Sequence, residues 1–249
     1  MAPRSEPVSD WIRPDWPAPA RVQALITTRA GGHSSGAYQS LNLGDHVNDS
    51  AEAVAANRAR LRALLPAEPA WLNQVHGTRV MEADTWTAPV EADASFARSP
   101  GTVCAVLVAD CLPVLLADRK GSVVAAAHAG WRGLAAGVIE NTIEAMARPP
   151  EQLIAFLGPA IGPDAFEVGE DVYQAFVARD AQAARAFRPH VHGKWMADLF
   201  QLARQRLAAT GVGAVHGGDL CTCSDPRRFF SHRRDKVTGR MAALVWLTS

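Results

Sequence analysis

Unbroken apolar runs dominate the middle of the chain. Residues 101–111 (GTVCAVLVADC) and 153–162 (LIAFLGPAIG) carry few polar side chains, the pattern of strands covered on both faces. Residues 113–128 (PVLLADRKGSVVAAAH) divide into two apolar halves around Arg119, Lys120 and Gly121 and predict a hairpin. RVQALITTR (21–29) and RMAALVWLT (240–248) read as further strands, and AWLNQVHGTRVMEAD (70–84) is strand-like on both sides of His76 and Gly77. Helical spacing appears in SAEAVAANRARLRALL (50–65), opened by Ser50 as N-cap, and in LAAGVIENTIEAMA (134–147). It returns in GEDVYQAFVARD (169–180) and in WMADLFQLARQRLAATG (195–211), which Gly211 closes. The proline-rich residues 1–20 predict an extended arm. AGGHSSGAYQSLNLGDHVND (30–49) must be a long loop, of a length that is usually functional or disordered.

Strands and helices mix without strict βαβ alternation. The expected fold is therefore α+β, an α/β sandwich: a single domain of mixed sheet, residues 21–249, with helices packed outside. At 249 residues the chain is long enough for a sizeable core.

Charge narrows the partners. Lys+Arg and Asp+Glu both number 25, which argues against nucleic acid or a membrane surface as a general partner. DPRRFFSHRRDK (225–236) is a local basic exception. No apolar run reaches the ~20 residues of a membrane helix, and the N-terminus lacks the apolar stretch of a signal peptide, so a cytoplasmic protein is expected. The four cysteines are too few for a disulfide framework. Neither pattern nor charge selects an oligomeric state.

Three residues stand where strands should stop: His76, Cys111 and His128. If their strands are neighbours in one sheet, the side chains converge. A thiolate and two imidazoles make a good zinc set, and three protein ligands leave a fourth position for water or substrate. The plainer reading is a buried cysteine and two hydrogen-bonded histidines. HAGWRG (128–133) precedes a helix whose unpaired N–H groups attract anions, with Arg132 as a forked donor; ordinary turn chemistry with a solvated Arg132 is the alternative. Arg29 closes a strand beside a glycine loop and is a candidate anion contact. Asn42, between two leucines, either recognises substrate or turns out to solvent. Phe229 and Phe230 are candidate stacking surfaces beside Ser231, Arg233 and Arg234, or aromatics packed beneath a basic loop. His190 and His192 are a candidate metal pair or two surface histidines. Cys221 and Cys223 do not have the spacing of a usual CxxC pair.

Taken together, ITTRAGGHSSG, SLNLG, NQVHG, VADCLPVLLAD, AAAHAGWRG, LGPAIGPDAFEVG and FFSHRRDKVTGRMAALVWL closely resemble the YfiH or laccase-domain family, once called multicopper polyphenol oxidoreductases. The resemblance covers nearly the whole chain. It implies an α/β sandwich and a zinc held at His76, Cys111 and His128. It implies phosphorolysis of purine nucleosides (adenosine, inosine, guanosine or methylthioadenosine) with phosphate to base and sugar 1-phosphate, and also adenosine deamination. Within that reading Arg29 and Arg132 are candidates for phosphate, Asn42 for ribose or base, and Phe229 and Phe230 for stacking. His232 stands where the resemblance leads one to expect Tyr. A true multicopper oxidase is disfavoured, because eight histidines with one HxH pair cannot ligate a blue copper and a trinuclear centre. Copper remains a substitute for zinc at the same donors. A different class competes: Cys111 as nucleophile with His128 as its base, in a cysteine hydrolase or deamidase.

Overall fold

The computed structural model describes residues 10–249, so the first nine residues of the expected arm lie outside the described residues. Strands are numbered in chain order. One sheet runs β1 (Val22–Ile26), β13 (Met241–Leu247), β5 (Val103–Val108), β2 (Pro69–Ala70). A second runs β12 (Ala214–Gly217), β8 (Leu153–Leu157), β6 (Leu112–Asp118), β7 (Val124–Ala129), β4 (Ala94–Ala97), β3 (Val80–Glu82). A small third sheet runs β10 (Phe187–Pro189), β11 (Trp195–Ala197), β9 (Glu167–Val168). Both large sheets are mixed: β2–β5, β3–β4 and β8–β12 pair parallel, the other neighbours antiparallel.

The two large sheets pack face to face, and side-chain alternation explains why their strands read as continuous apolar runs. From β5, Cys104 and Val106 enter the gap between the sheets, while Val103, Ala105 and Leu107 face helix α1 (Ala51–Arg62) and its loop, among Leu41, Leu43 and Leu61. From β6, Leu115 and Ala117 enter the gap, while Leu112, Val114 and Leu116 face the helices on the far side. Those helices are α2 (Trp131–Ala136), α3 (Val138–Met146), α4 (Glu170–Val177) and α5 (Leu199–Thr210). The layers are thus helix, sheet, sheet, helices, and the α+β expectation is met. Burying each Leu or Val on these faces contributes about 1.5–3 kcal/mol, so both layers favour apolar side chains.

The predicted hairpin is β6–β7, tied by Asp118 across its turn. Two predicted helices differ from expectation. The helix over 134–147 is broken by Gly137, whose φ of 109° ends α2 in a left-handed cap before α3 begins. The helix over 195–211 begins only at Leu199. Residues Trp195–Ala197 pair as β11 with β10 and β9, and the Asp198 carboxylate caps α5 by accepting from Gln201 N at 2.9 Å. The described part of the arm lies on the body: Ile12 and Ile26 exchange backbone hydrogen bonds of 2.8 and 2.9 Å.

Candidate metal centre

Cys111 sits where the chain crosses from one large sheet to the other, between β5 and β6, after Asp110 turns the corner at φ 89°. The two strands it joins belong to different sheets, so the donors do not meet through neighbouring strands of one sheet, the condition named in the sequence analysis. His128 lies on β7, opposite Pro113 of β6. Alternation puts it on the same face as Val124 and Ala126, towards the gap between the sheets. His76 comes from the loop between β2 and β3, at φ 61°. These distant segments meet at one end of the gap. Their donor atoms all lie within 4.8 Å of one another, with Cys111 Sγ 3.8 Å from His76 Nε2. The two imidazoles meet edge to face at 4.9 Å.

Asp93, fully buried just before β4, organises the cluster. One carboxylate oxygen accepts from His128 Nδ1 at 2.8 Å and from His76 N at 2.9 Å; the other accepts from Gly77 N at 2.7 Å. His128 N donates to the Asp93 carbonyl at 2.7 Å. With Nδ1 engaged, His128 offers Nε2 to the cluster. Gln74 fixes the same loop to β5, accepting from Leu107 N at 2.7 Å and donating to its carbonyl at 2.8 Å.

The glycines of HAGWRG are explained by close approach. A Cβ on Gly130 would lie 2.9 Å from Cys111 Sγ and 3.0 Å from His76 Cδ2, and one on Gly133 would lie 2.7 Å from the Gly77 carbonyl. The helix they open, α2, is only 6 residues long.

Burial works against charge on both Cys111 and His128, and their mutual attraction overcomes it. The Cys111 thiol is held below its ordinary value by His128 and His76. His128 is raised by Cys111 and by Asp93. Burial likewise opposes the Asp93 charge, but His128 and the Gly77 and Val75 N–H groups hold its carboxyl below the usual range. A low-lying thiolate and two imidazoles are the donor set of zinc, so the chemistry of the three residues gathered here fits that ion. Among the described residues this is the only group of three or more His, Cys, Asp or Glu side chains so arranged, so no multicopper donor set accompanies it.

A cavity of about 390 Å³ opens on the cluster; besides the three donors, His46, Gln74, Arg132, His232 and Arg240 line it. Arg132 stands exposed in its wall, beside the three donors. The other expected contacts lie elsewhere. Arg29 lines a separate groove with Gln39 and Pro226, and its guanidinium donates to their carbonyls at 3.0 and 3.1 Å. Asn42 is fully buried rather than turned to solvent. Its side chain bonds Gly44 N and O, Asp49 and Arg240 N, which leaves no capacity for a ribose or base. Phe229 and Phe230 have no exposed surface to offer for stacking; they are the aromatics packed beneath the basic loop. Arg233 and Arg234 mainly tie that loop to backbone carbonyls. His190 lies 3.4 Å from Glu167, and neither it nor His192 joins a metal-capable group. Cys221 accepts from Gly162 N at 3.2 Å, and all four cysteines are free. Asp93, Gln74, His46 and Arg240 were not anticipated. Asp93 alone had a visible signal, an acid set in the apolar stretch ADASFA (92–97).

The chain is similar over nearly its whole length to known proteins. The chain is 56% identical over 238 residues to a purine nucleoside phosphorylase of Pseudomonas aeruginosa, covering 95% of this chain and 98% of the relative. It is 54% identical over 243 residues to the purine nucleoside phosphorylase YfiH of Escherichia coli, covering 96% and 100%. A crystal structure of a Neisseria meningitidis protein superposes with a TM-score of 0.94 at 54% identity, over 96% of this chain and 99% of that one. YlmD from Geobacillus stearothermophilus superposes with a TM-score of 0.85 at 30% identity, over 98% of each chain. With residues 23–248 matching the profile described as multi-copper polyphenol oxidoreductase laccase, the chain belongs to that laccase-domain family.

Proposed function

We propose that this protein is a zinc-dependent purine nucleoside phosphorylase of the cytoplasm, with residues 21–249 as its one catalytic domain. The observation that carries the reading is the convergence of His76, Cys111 and His128 in the lining of a cavity, in a chain 56% identical to a relative named for that activity. The free cysteines suit a reducing compartment, and no helix among the described residues is long and apolar enough to cross a membrane. The relatives' names support phosphorolysis and do not extend to deamination.

His76, Cys111 and His128 would hold the zinc, which supplies Lewis acidity and orientation when bound. In phosphorolysis a phosphate oxygen bonds to the ribose C1′ as the C1′–N bond to the purine breaks, and the departing base takes up a proton. Arg132 contributes positive charge at the cavity wall for the phosphate. His46 and His232 are the remaining imidazoles of the cavity, able to hold or hand over the proton that the base needs. Asp93 keeps the donor side chains in place, while Leu107 and Ala109 give the purine an apolar wall.

One observation favours a second reading. Cys111, His128 and Asp93 form a chain of thiol, imidazole and carboxylate, the arrangement of a cysteine nucleophile with its oriented base. Metal content of the purified protein and phosphate-dependent release of base from inosine and adenosine separate the two. About one zinc per chain with phosphate-dependent release is expected. A metal-free protein that releases no base, yet is labelled rapidly at Cys111, would move the assignment to the hydrolase.

A further inference from the structure

The cavity has an unbalanced charge. No carboxylate lines it, whereas Arg132 and Arg240 both do. They arrive from different layers: Arg132 on α2, which follows β7 of the six-stranded sheet, and Arg240 directly before β13 of the four-stranded sheet. The acids around it are all engaged: Asp93 by His128 Nδ1 at 2.8 Å and by the backbone N–H groups of Val75, His76 and Gly77, Asp45 by Arg58 at 3.1 Å, and Asp110 in the adjoining cleft by Thr222 Oγ1 and Arg233 N, each at 2.6 Å. A zinc ion with one thiolate and two neutral imidazoles would add a further net positive charge.

Arg240 is held as a fixed donor. Its Nη1 donates to the Thr238 and Gly239 carbonyls at 3.0 Å each. Its backbone N donates to Asn42 Oδ1 at 2.8 Å, and its carbonyl accepts from Leu43 N at 3.1 Å. Its stem runs against Gly44, where a Cβ would lie 2.8 Å from Arg240 Cγ. This accounts for the buried Asn42: it supports Arg240 rather than meeting a substrate. Among the described residues Arg240 has no ion-pair partner, and its Nε and Nη2 donate to no protein acceptor. An unpaired guanidinium with a spare pair of N–H groups, rigidly mounted in a carboxylate-free cavity, matches a tetrahedral oxyanion.

We propose that Arg240, with Arg132 as its more exposed partner, is the oxyanion-binding pair of this cavity, and that the anion is inorganic phosphate. The identity of the anion rests on the phosphorolysis reading; the pair itself rests on the placement of the two guanidinium groups. Arg240 supplies the oriented fork and Arg132 adjusts from the solvent side, so the phosphate stands beside the donor cluster, at hand for C1′ of a nucleoside.

The test uses the metal-loaded wild type with Arg240→Gln, Arg240→Lys and Arg132→Gln, each first checked for zinc content and melting temperature. Phosphate is titrated calorimetrically, and KM is measured separately for phosphate and inosine. Arg240→Gln is expected to weaken phosphate binding, and to raise its KM, by about tenfold or more, as for a lost charge-assisted hydrogen bond. Zinc content should hold, and the inosine KM should change much less. Arg240→Lys should fall between, because a point charge replaces a fork. Unchanged phosphate affinity in Arg240→Gln, with phosphate still required for turnover, overturns the pair and leaves phosphorolysis standing. Phosphate binding that depends on Arg240 in an enzyme that turns over without phosphate overturns phosphorolysis and keeps the pair. A wild type that binds no phosphate overturns both. If Arg240→Gln does not fold, unchanged phosphate affinity in both Arg240→Lys and Arg132→Gln overturns the pair.

Discussion

The Asp93 carboxylate binds His128 Nδ1 at 2.8 Å and, through the same oxygen, His76 N at 2.9 Å. One buried acid therefore orients one donor ring and fixes the loop that carries another. Asp93→Asn keeps the size and loses the charge and half the acceptor capacity. Zinc affinity, measured against a competing chelator, should fall about 10–100-fold, as for lost partners of metal-bound histidines. Stability should fall by about 1–3 kcal/mol, because a loop N–H or the ring N–H goes unmet. Wild-type zinc affinity in Asp93→Asn would mean that Asp93 serves the backbone alone.

Gly130 touches two donors at once, which makes it a probe of the cluster's spacing. Its backbone, at φ −60° and ψ 155°, suits any residue, so Gly130→Ala tests space alone. The new methyl would press on Cys111 Sγ and His76 Cδ2 at 2.9 and 3.0 Å. Overpacking of this kind costs about 1–3 kcal/mol, and here it pushes the thiol and ring apart. Gly130→Ala should lose zinc in a chelator titration while its far-ultraviolet circular dichroism stays that of the wild type. Full zinc retention would show that Cys111 and His76 have room to shift.

Much of this organisation is legible in the residues themselves. The apolar runs of β5 and β8 announce strands covered on both faces, and the β6–β7 hairpin is written in its charged turn. His76, Cys111 and His128 stand out because polar donors end apolar stretches. Their meeting is not legible, since it depends on the β5–β6 crossing between sheets, a tertiary event with no local signature. The same limit hides Arg240, whose cavity wall is built with residues far away in sequence. It also misleads on Asn42 and Phe230: period and polarity describe which residue types are present, not whether neighbouring loops cover them. The two helix errors are local. Gly137 can be read as a stop as readily as a tolerated interior glycine, and Trp195–Ala197 is extended because strands on both sides offer hydrogen bonds.

Asp118, remote from the metal centre, contributes to acid stability. Fully buried in the β6–β7 turn, it accepts from Ser122 N at 2.5 Å, Val123 N at 2.9 Å and Ser122 Oγ at 2.8 Å. Burial opposes its charge, but the N–H groups of Val123 and Ser122 outweigh it and hold the carboxyl below the usual range. A carboxyl depressed in the folded state stabilises above its unfolded value of about 3.9, and that contribution is lost as pH falls through the folded value. Asp118→Asn should therefore be less stable near neutrality by about 1–3 kcal/mol in urea unfolding, and less sensitive to acid below about pH 4. Equal acid slopes in wild type and variant would remove Asp118 from the account.

The environment of Cys111 makes opposite demands on its thiol with and without metal. In metal-stripped protein the thiol is held below its ordinary value, so a thiolate should form at lower pH than the value of about 8.5 for a free cysteine. Alkylation by iodoacetamide, followed by mass spectrometry of the labelled peptide, should rise with pH at a midpoint below that of Cys104, whose thiol burial pushes up to about 12. Adding zinc should abolish labelling at Cys111, since a coordinated thiolate is a poor nucleophile. His128→Ala should move the Cys111 midpoint upward, because the largest attraction holding the thiolate is gone. Labelling that continues at full rate with zinc bound would place the sulfur outside the metal's ligands and would favour the cysteine hydrolase over the phosphorylase.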